Sequence, residues 1–237
     1  MKAAVYCATR NIYHKIIPSL KSLLKNSSVE KVFLLVEDDK PDFQVRVPDW
    51  VLDKYVECIN VSGQTYFPPD GANSNSWWTY MVLMRLVLCK ILPPDLDKVL
   101  SLDCDTIINE KTDELWDLEL EDNYFAAVRE VHRLFPVEPY HNAGVVMWNL
   151  KQMRDGKADE ILARINVEHF QFPDQDAMNI MCHGHTLELQ SLYNYCRFTT
   201  PTTADPKIIH YANINNWYEV APSVQLYKAL RWEDVRG

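Results

Sequence analysis

The strongest constraint on the fold is a series of short apolar segments of strand length, separated by segments long enough to hold a helix. Residues 2–8, 31–36 and 55–61 have this character in the first third of the chain. Between the first two, residues 13–24 place apolar side chains at helical spacing. A strand, a crossover helix and a second strand form the unit from which parallel sheets are built. The sequence therefore predicts an α/β fold.

The rest of the chain continues this pattern. Further strands are predicted at residues 99–102, 124–128, 145–148, 187–192 and 208–211. Helices are predicted at residues 76–92, 157–167 and 175–182, the first of them ended by two prolines. Since no internal repeat, low-complexity stretch or linker interrupts the chain, we expect residues 1–237 to form one domain with a single mixed, mainly parallel, Rossmann-like sheet flanked by helices.

Glycine and charge exclude several functions. Only 6 of the 237 residues are glycine, and no GxGxxG or GxxxxGK[ST] phosphate loop can be written from their positions. This excludes the usual dinucleotide-binding enzymes and P-loop nucleotide hydrolases. The formal net charge is −9, and no basic run is present. We therefore expect neither nucleic-acid binding nor a strong membrane anchor.

The cysteine spacing and the lengths of the apolar runs indicate in which cellular compartment the protein is expected. The six cysteines show no CxxC spacing, which favours free thiols in a reducing environment. The amino-terminal segment has no charged-then-apolar leader, and no apolar stretch reaches the roughly 18 residues of a membrane span. The sequence predicts a soluble, cytoplasmic protein.

One of three Asp-x-Asp motifs directly follows a predicted buried strand. Asp103 and Asp105 continue the apolar run 98–102, whereas the motifs at 95–97 and 174–176 have no such context. In an extended chain, residues two apart project to the same side, so both carboxylates would lie together at the carboxyl end of a strand. Two close carboxylates repel unless a cation lies between them, and a divalent ion resolves that cost. A strand end with solvated acids is the alternative.

Three other segments carry polar residues of interest. Asn142 comes shortly before Gly144 in a strand-like run, where an asparagine can bind a polyhydroxyl ligand and a glycine marks a close backbone approach or a bulge. Asp174 begins a predicted helix, and His210 ends the last predicted strand. Each has an ordinary structural alternative: a turn, a helix cap and a satisfied polar group. The segment 183–185, His-Gly-His, is predicted to be a surface turn.

Taken in chain order, these segments resemble family 8 retaining glycosyltransferases, which include glycogenin and bacterial lipopolysaccharide galactosyl- and glucosyltransferases. The most specific segment is 96–108, followed by 115–118, and the segments 141–150 and 173–179 keep the order and spacing of the family. The similarity covers nearly the whole chain. It implies a GT-A fold, a UDP-sugar donor, and Mn²⁺, with Mg²⁺ as the alternative ion. The implied metal ligands are Asp103, Asp105 and His210.

The resemblance also implies where the donor binds. The uracil pocket would be formed by Cys7, Ala8, Thr9, Asn11 and Tyr13. In that pocket Tyr13 would stack on the base, and Cys104 would face the ribose through its backbone.

The same resemblance assigns residues to the donor sugar. Arg85 would lie near it, and its hydroxyls and reacting carbon would face Asn142, Ala143, Asp174 and Gln175. Retention of configuration would use either a nucleophile, for which Asp174 is better suited than Gln175, or front-face internal return.

The chain departs from the family pattern at three places. After His210 the phosphate-contacting lysine of the family is replaced by Asn215 or Asn216, a change expected to weaken diphosphate binding. Glu130 occupies a position where the family often has an aspartate that binds a sugar hydroxyl. The longer side chain is expected to influence whether glucose or galactose fits. After Trp232 no basic amphipathic tail follows, so we expect no membrane-docking helix.

Two other functions fit parts of the sequence. The lost lysine favours a sugar-nucleotide-binding relic without turnover. The run Asp103-Cys-Asp105-Thr resembles the first motif of haloacid-dehalogenase-like phosphatases, but it lies in mid-chain without their later acidic pair. The sequence does not determine the oligomeric state or whether the acceptor is a saccharide or a protein. The acceptor is predicted to bind at the loops 63–78 and 129–140, with aromatic residues Tyr66, Phe67, Trp77 and Trp78.

Overall fold

A computed structural model describes residues 1–39, 41–74, 79–131 and 135–235. The strands in these ranges are β1 Ala3–Cys7, β2 Lys31–Val36, β3 Val56–Asn60, β4 Lys98–Leu102, β5 Thr106–Ile108, β6 Phe125–Arg129, β7 His141–Asn149, β8 Thr186–Leu189 and β9 Ile208–His210. The α-helices are α1 Ile16–Asn26, α2 Asp49–Tyr55, α3 Thr79–Leu83, α4 Leu88–Ile91, α5 Leu150–Gln152, α6 Ala158–Ile165, α7 Pro173–Met181, α8 Trp217–Val220 and α9 Pro222–Ala229. Short 3₁₀ segments include Arg10–Lys15, Met84–Val87 and Ser191–Tyr193.

Seven strands form one mixed sheet in the order β3-β2-β1-β4-β7-β6-β8. The first four are parallel, β7 runs antiparallel to both β4 and β6, and β8 is parallel to β6. This arrangement confirms the predicted mixed, mainly parallel sheet. Because β7 is reversed, its amino end meets the carboxyl ends of β1, β4 and β6 at one edge of the sheet. The polar residues of interest lie at this edge.

The sheet is buried on both faces. Along β1, Val5 packs into the apolar cluster that contains the α3 and α4 region, while Tyr6 packs into the cluster that contains α1. Alternation of side chains along the strand distributes them to the two faces. A strand covered on both sides needs a continuous apolar run, which is why β1, β2 and β4 are visible in the sequence.

A two-stranded sheet of β5 and β9 lies beside the main sheet. Its register places Thr106 opposite His210. The sequence predicted β9 but not β5, because β5 is only three residues long and follows the β4 run after a turn.

The helix predicted at 76–92 is interrupted in the part that the structure describes. Helix α3 leads into the 3₁₀ segment Met84–Val87, and α4 follows. The backbone of Val87, with φ −119° and ψ 17°, departs from helical values and separates the two helices. Across the described ranges, no helix has the length and apolar character needed to cross a membrane.

Candidate active site

Asp103 and Asp105 lie on the turn that joins β4 to β5. The backbone N–H and the hydroxyl of Thr106 both donate to the Asp103 carbonyl, at 3.2 and 2.8 Å, and close this turn. The two aspartates therefore lie on a turn, whereas the sequence predicts an extended strand at these positions. The turn nevertheless directs both carboxylates to the same place, since each lies close to one imidazole.

That imidazole belongs to His210, more than a hundred positions along the chain. Pairing of β5 with β9 brings it to the turn, and the Tyr211 N–H donates to the Asp105 carbonyl at 3.0 Å. The Nε2 atom of His210 lies 3.5 Å from Oδ2 of Asp103 and 3.3 Å from Oδ1 of Asp105. One ligand atom from each of the three residues lies within 4.8 Å of the others. The structure thus brings together the predicted metal ligands.

Gly144 makes room for the histidine. A β-carbon at this position would overlap the imidazole ring of His210, so the β7 backbone must pass directly beneath the ring without a side chain. The Gly144 carbonyl also accepts from the Asp103 N–H at 2.8 Å, which ties the acidic turn to β7. The predicted close approach at this glycine is confirmed, and the approaching group is His210.

A chain of buried amides orients His210. Nδ2 of Asn194 donates to Oδ1 of Asn142 at 2.8 Å, so the Asn194 Oδ1 atom faces Nδ1 of His210, 2.9 Å away. An amide oxygen accepts, and Nδ1 must therefore carry a proton. The lone pair of the neutral ring is then on Nε2, on the side of the two aspartates. Two carboxylates and an imidazole in this orientation fit Mn²⁺ or a similar divalent ion.

Replacing Asn194 by Ala is expected to weaken Mn²⁺ binding by about 10- to 100-fold, because His210 loses the acceptor that fixes its orientation. Electron paramagnetic resonance of free Mn²⁺ during a titration measures this affinity. The matched control is Asn109→Ala. The Asn109 side-chain amide also donates a hydrogen bond, to the Pro206 carbonyl, but it lies away from the site. Equal Mn²⁺ affinity in the two variants would show that Asn194 does not orient His210 for metal binding.

Arg85 lies buried between two carboxylates. Its Nη2 atom is 2.5 Å from Oδ1 of Asp103, and its Nε atom is 3.2 Å from Oδ2 of Asp174. Nη1 donates to the Ala143 carbonyl at 2.5 Å. The guanidinium therefore fixes the acidic turn, the start of α7 and the amino end of β7 relative to one another.

These contacts shift the pKa values of the cluster. Burial raises the pKa of Asp103, but the charge of Arg85 and the bond to His210 outweigh it, so that this pKa lies well below its usual range. For Asp174, burial outweighs the charge of Arg85 and the pKa is raised. Burial lowers the pKa of His210, yet the charge of Asp105 and the bonds to both aspartates raise it well above its ordinary value.

A second polar group lies on the other side of Asn142. The Nδ2 atom of Asn142 donates to Oε1 of Glu130 at 2.7 Å and lies 3.3 Å from Oε1 of Gln175, which accepts from the Ala143 N–H at 2.9 Å. The other carboxylate oxygen of Glu130, Oε2, is buried and has no hydrogen-bond partner among the described residues. A buried carboxylate oxygen without a partner is costly, and a ligand hydroxyl would satisfy it.

A cavity of about 550 Å³ joins these groups. The predicted residues that line it are Cys7, Arg85, Asp103, Cys104, Asp105, Glu130, Asn142, Ala143, Asp174, Gln175 and His210. Polar groups that converge on one cavity in this way are the usual mark of a ligand site.

Four predicted nucleotide-binding residues lie outside the lining. Ala8 is fully buried, and the Thr9 hydroxyl donates to Oδ1 of the exposed Asn11. The ring of Tyr13 is only 2% exposed, and its hydroxyl donates to Asp38 and accepts from the Glu37 N–H. This position departs from the prediction that Tyr13 stacks on a base, because the buried ring offers no face to the cavity.

Several lining residues had no signal in the sequence. They are Ile12, Lys15, Val82, Phe172, Phe198, Ala212 and Asn213. Trp217, the first residue of α8, lines the cavity as well. Asn194 was also missed, because an asparagine in a loop carries no local mark of its contact with His210. Only the pairing of distant segments reveals these residues.

Other sequence-based predictions have mixed outcomes. The segment 183–185 is an exposed turn, as predicted, and all six cysteines are free thiols. Phe67, predicted on the acceptor side, is only 1% exposed and belongs to the core. Trp77 and Trp78 lie outside the described residues.

Comparisons with known proteins give the class. The family model for glycosyl transferase family 8 matches residues 4–217. The Streptococcus pneumoniae glycosyltransferase GlyE superposes with a TM-score of 0.75 at 21% identity, over 99% of this chain and 62% of that one. The galactosyltransferase LgtC, solved with donor and acceptor sugar analogues, gives 0.71 at 20% identity over 95% and 94%. The fold is therefore of the GT-A type, and the chain belongs to glycosyl transferase family 8.

Sequence relatives agree with this assignment. The lipopolysaccharide 1,2-glucosyltransferase of Escherichia coli K12 is 31% identical over 196 residues, which cover 66% of this chain and 56% of that protein. GlyE is 24% identical over 255 residues, which cover 98% of this chain and 60% of its own length. The chain thus spans little more than half of these two relatives.

Proposed function

We propose that this protein is a Mn²⁺-dependent retaining glycosyltransferase that moves a hexose from a UDP-sugar to an acceptor. The observation that carries the proposal is the convergence of Asp103, Asp105 and His210 on one cavity. The same cavity is lined by Glu130, which has a buried carboxylate oxygen without a hydrogen-bond partner among the described residues. A cation site beside hydroxyl-binding groups suits a sugar bound to a diphosphate.

In the proposed reaction, the bond between the anomeric carbon and the diphosphate oxygen breaks. The acceptor hydroxyl oxygen bonds to that carbon, its proton passes to the departing diphosphate, and UDP leaves. A divalent ion held by the two aspartates and His210 would supply Lewis-acid stabilisation of the charge that develops on UDP. Arg85 holds Asp103 and Asp174 in place, while Glu130 and Asn142 receive the sugar hydroxyls.

Two routes account for retention. Gln175 is a poor nucleophile, and its carbonyl oxygen already accepts from the Ala143 N–H. Asp174 is the better nucleophile of the two, although its carboxylate forms an ion pair with Arg85 at 3.2 Å, which makes it less nucleophilic. Front-face internal return, in which the acceptor attacks from the side that UDP leaves, needs neither residue as a nucleophile. Substantial activity in Asp174→Asn would exclude a covalent intermediate on this carboxylate, because front-face internal return does not need it as a nucleophile.

Glucose and galactose are the proposed donor sugars. The names of two similar proteins, a glucosyltransferase and a galactosyltransferase, support this range. A saccharide or a protein is the proposed acceptor. We also propose that residues 1–237 act as one catalytic domain in the cytoplasm, either alone or as an oligomer.

Release of UDP from UDP-glucose and UDP-galactose, with Mn²⁺ or Mg²⁺ and with or without sugar acceptors, tests the proposal. We expect slow release that depends on the metal and rises with an acceptor. Tight UDP binding without turnover would instead identify a sugar-nucleotide-binding relic. Phosphate release from a phosphomonoester with Mg²⁺ and no nucleotide would identify a phosphatase.

A further inference from the structure

Lys15 places a basic side chain in the cavity. It ends the 3₁₀ segment Arg10–Lys15 and precedes α1, so it enters from the amino-terminal part of the fold. It lines the same cavity as the acidic turn and as Ala212, Asn213 and Trp217, which follow β9. This is the stretch in which the sequence lacks the family's lysine.

The other basic groups of the cavity already have acidic partners. Arg85 contacts Asp103 and Asp174, and His210 contacts Asp103 and Asp105. Lys15 differs from both, because no carboxylate in the described ranges forms an ion pair with it. Lys15 is half-buried and lines the cavity, so its ammonium group is available to an anion that enters it.

Charge balance indicates which anion would need it. The cavity is lined by four carboxylates: Asp103, Asp105, Glu130 and Asp174. A divalent ion held by Asp103 and Asp105 would be neutralised by their two charges, and Arg85 is engaged with Asp103 and Asp174. The diphosphate of a nucleotide sugar carries negative charge on both phosphates and would meet no further cation on the acidic turn. Lys15 is the remaining source of positive charge among the described lining residues.

We propose that Lys15 binds the diphosphate of the nucleotide-sugar donor and takes the place of the cation missing after His210. This inference rests on the proposed function. It places the phosphate-binding cation just before α1, where the neighbouring His14 contacts Tyr218 of α8, close to the segment that lacks the family's lysine. The neutral Asn215 and Asn216 then do not prevent tight binding of the diphosphate.

Calorimetric titration of the protein with uridine, UMP and UDP, in the presence of Mn²⁺, tests the role of Lys15. In Lys15→Met we expect UDP to bind about 10- to 100-fold more weakly than in the wild-type protein, because a charge-assisted hydrogen bond is lost. Uridine should bind equally to both. Lys15→Arg should restore most of the UDP affinity, since it keeps the charge.

The control is Lys111→Met, which removes the same charge from an exposed lysine outside this cavity. Thermal melting of each variant checks that it is folded. If the wild-type protein binds UDP and Lys15→Met binds it equally well, the role of Lys15 is refuted while the proposed function stands. If the wild-type protein binds no UDP, the proposed function itself fails. Equal weakening of uridine and UDP would show a structural effect and also overturn the inference.

Discussion

Asp103→Asn is expected to lower Mn²⁺-dependent release of UDP from the donor by about a hundredfold or more. The substitution keeps the size of the side chain but removes a carboxylate that faces both Arg85 and His210, at 2.5 and 3.5 Å. An amide is a poorer ligand for a divalent ion and leaves Arg85 paired only with Asp174. Initial rates of UDP release over a range of Mn²⁺ concentrations measure the loss.

Two further variants separate the contributions of Asp103. Asp105→Asn removes a proposed metal ligand that has no ion pair with Arg85 among the described residues, so its effect reports on the metal site alone. Asp95→Asn is the matched control, because it makes the same change in another Asp-x-Asp motif whose side chain is exposed and outside the cavity. Activity in Asp103→Asn and Asp105→Asn equal to that of the control would contradict the proposed metal site.

The sequence predicts the main sheet well where burial is on both faces. Strands β1, β2 and β4 are continuous apolar runs, and such runs can be identified without knowing which strands pair with them. Strand β7 was predicted only over 145–148, whereas it begins at His141. The first residues of β7 include polar side chains, and their burial depends on partners elsewhere. The N–H of His141, for example, donates to the side chain of Asn179 on α7.

The candidate site shows the same limit. The resemblance to family 8 supplied Asp103, Asp105 and His210, and the structure brings them together. Asn194 and Lys15 could not be found in this way, because their significance lies in the groups that face them after distant segments pair. The resemblance also implied that Tyr13 stacks on a base, whereas its ring is packed into the core.

Gly144→Ala is expected to destabilise the protein and remove the metal site at the same time. Its β-carbon would overlap the imidazole of His210, which is 4% exposed and enclosed by its surroundings. Relief requires either that the ring leave the two aspartates or that β7 shift and weaken the bond between the Gly144 carbonyl and the Asp103 N–H. Over-packing of this kind costs about 1–3 kcal/mol of unfolding free energy. Chemical denaturation measures it.

The loss of the metal site is measured separately by thermal melting with and without Mn²⁺ and UDP. A ligand at a hundred times its dissociation constant stabilises a folded protein by about 2.7 kcal/mol, so the wild-type protein should melt at a higher temperature when both are present. Gly144→Ala should lose most of this gain. Gly63→Ala is the control, because a β-carbon there meets no atom within 4 Å. If Gly144→Ala keeps the full ligand-dependent shift, the close packing of Gly144 against His210 does not support the metal site, and the geometry on which the proposed function rests is incorrect.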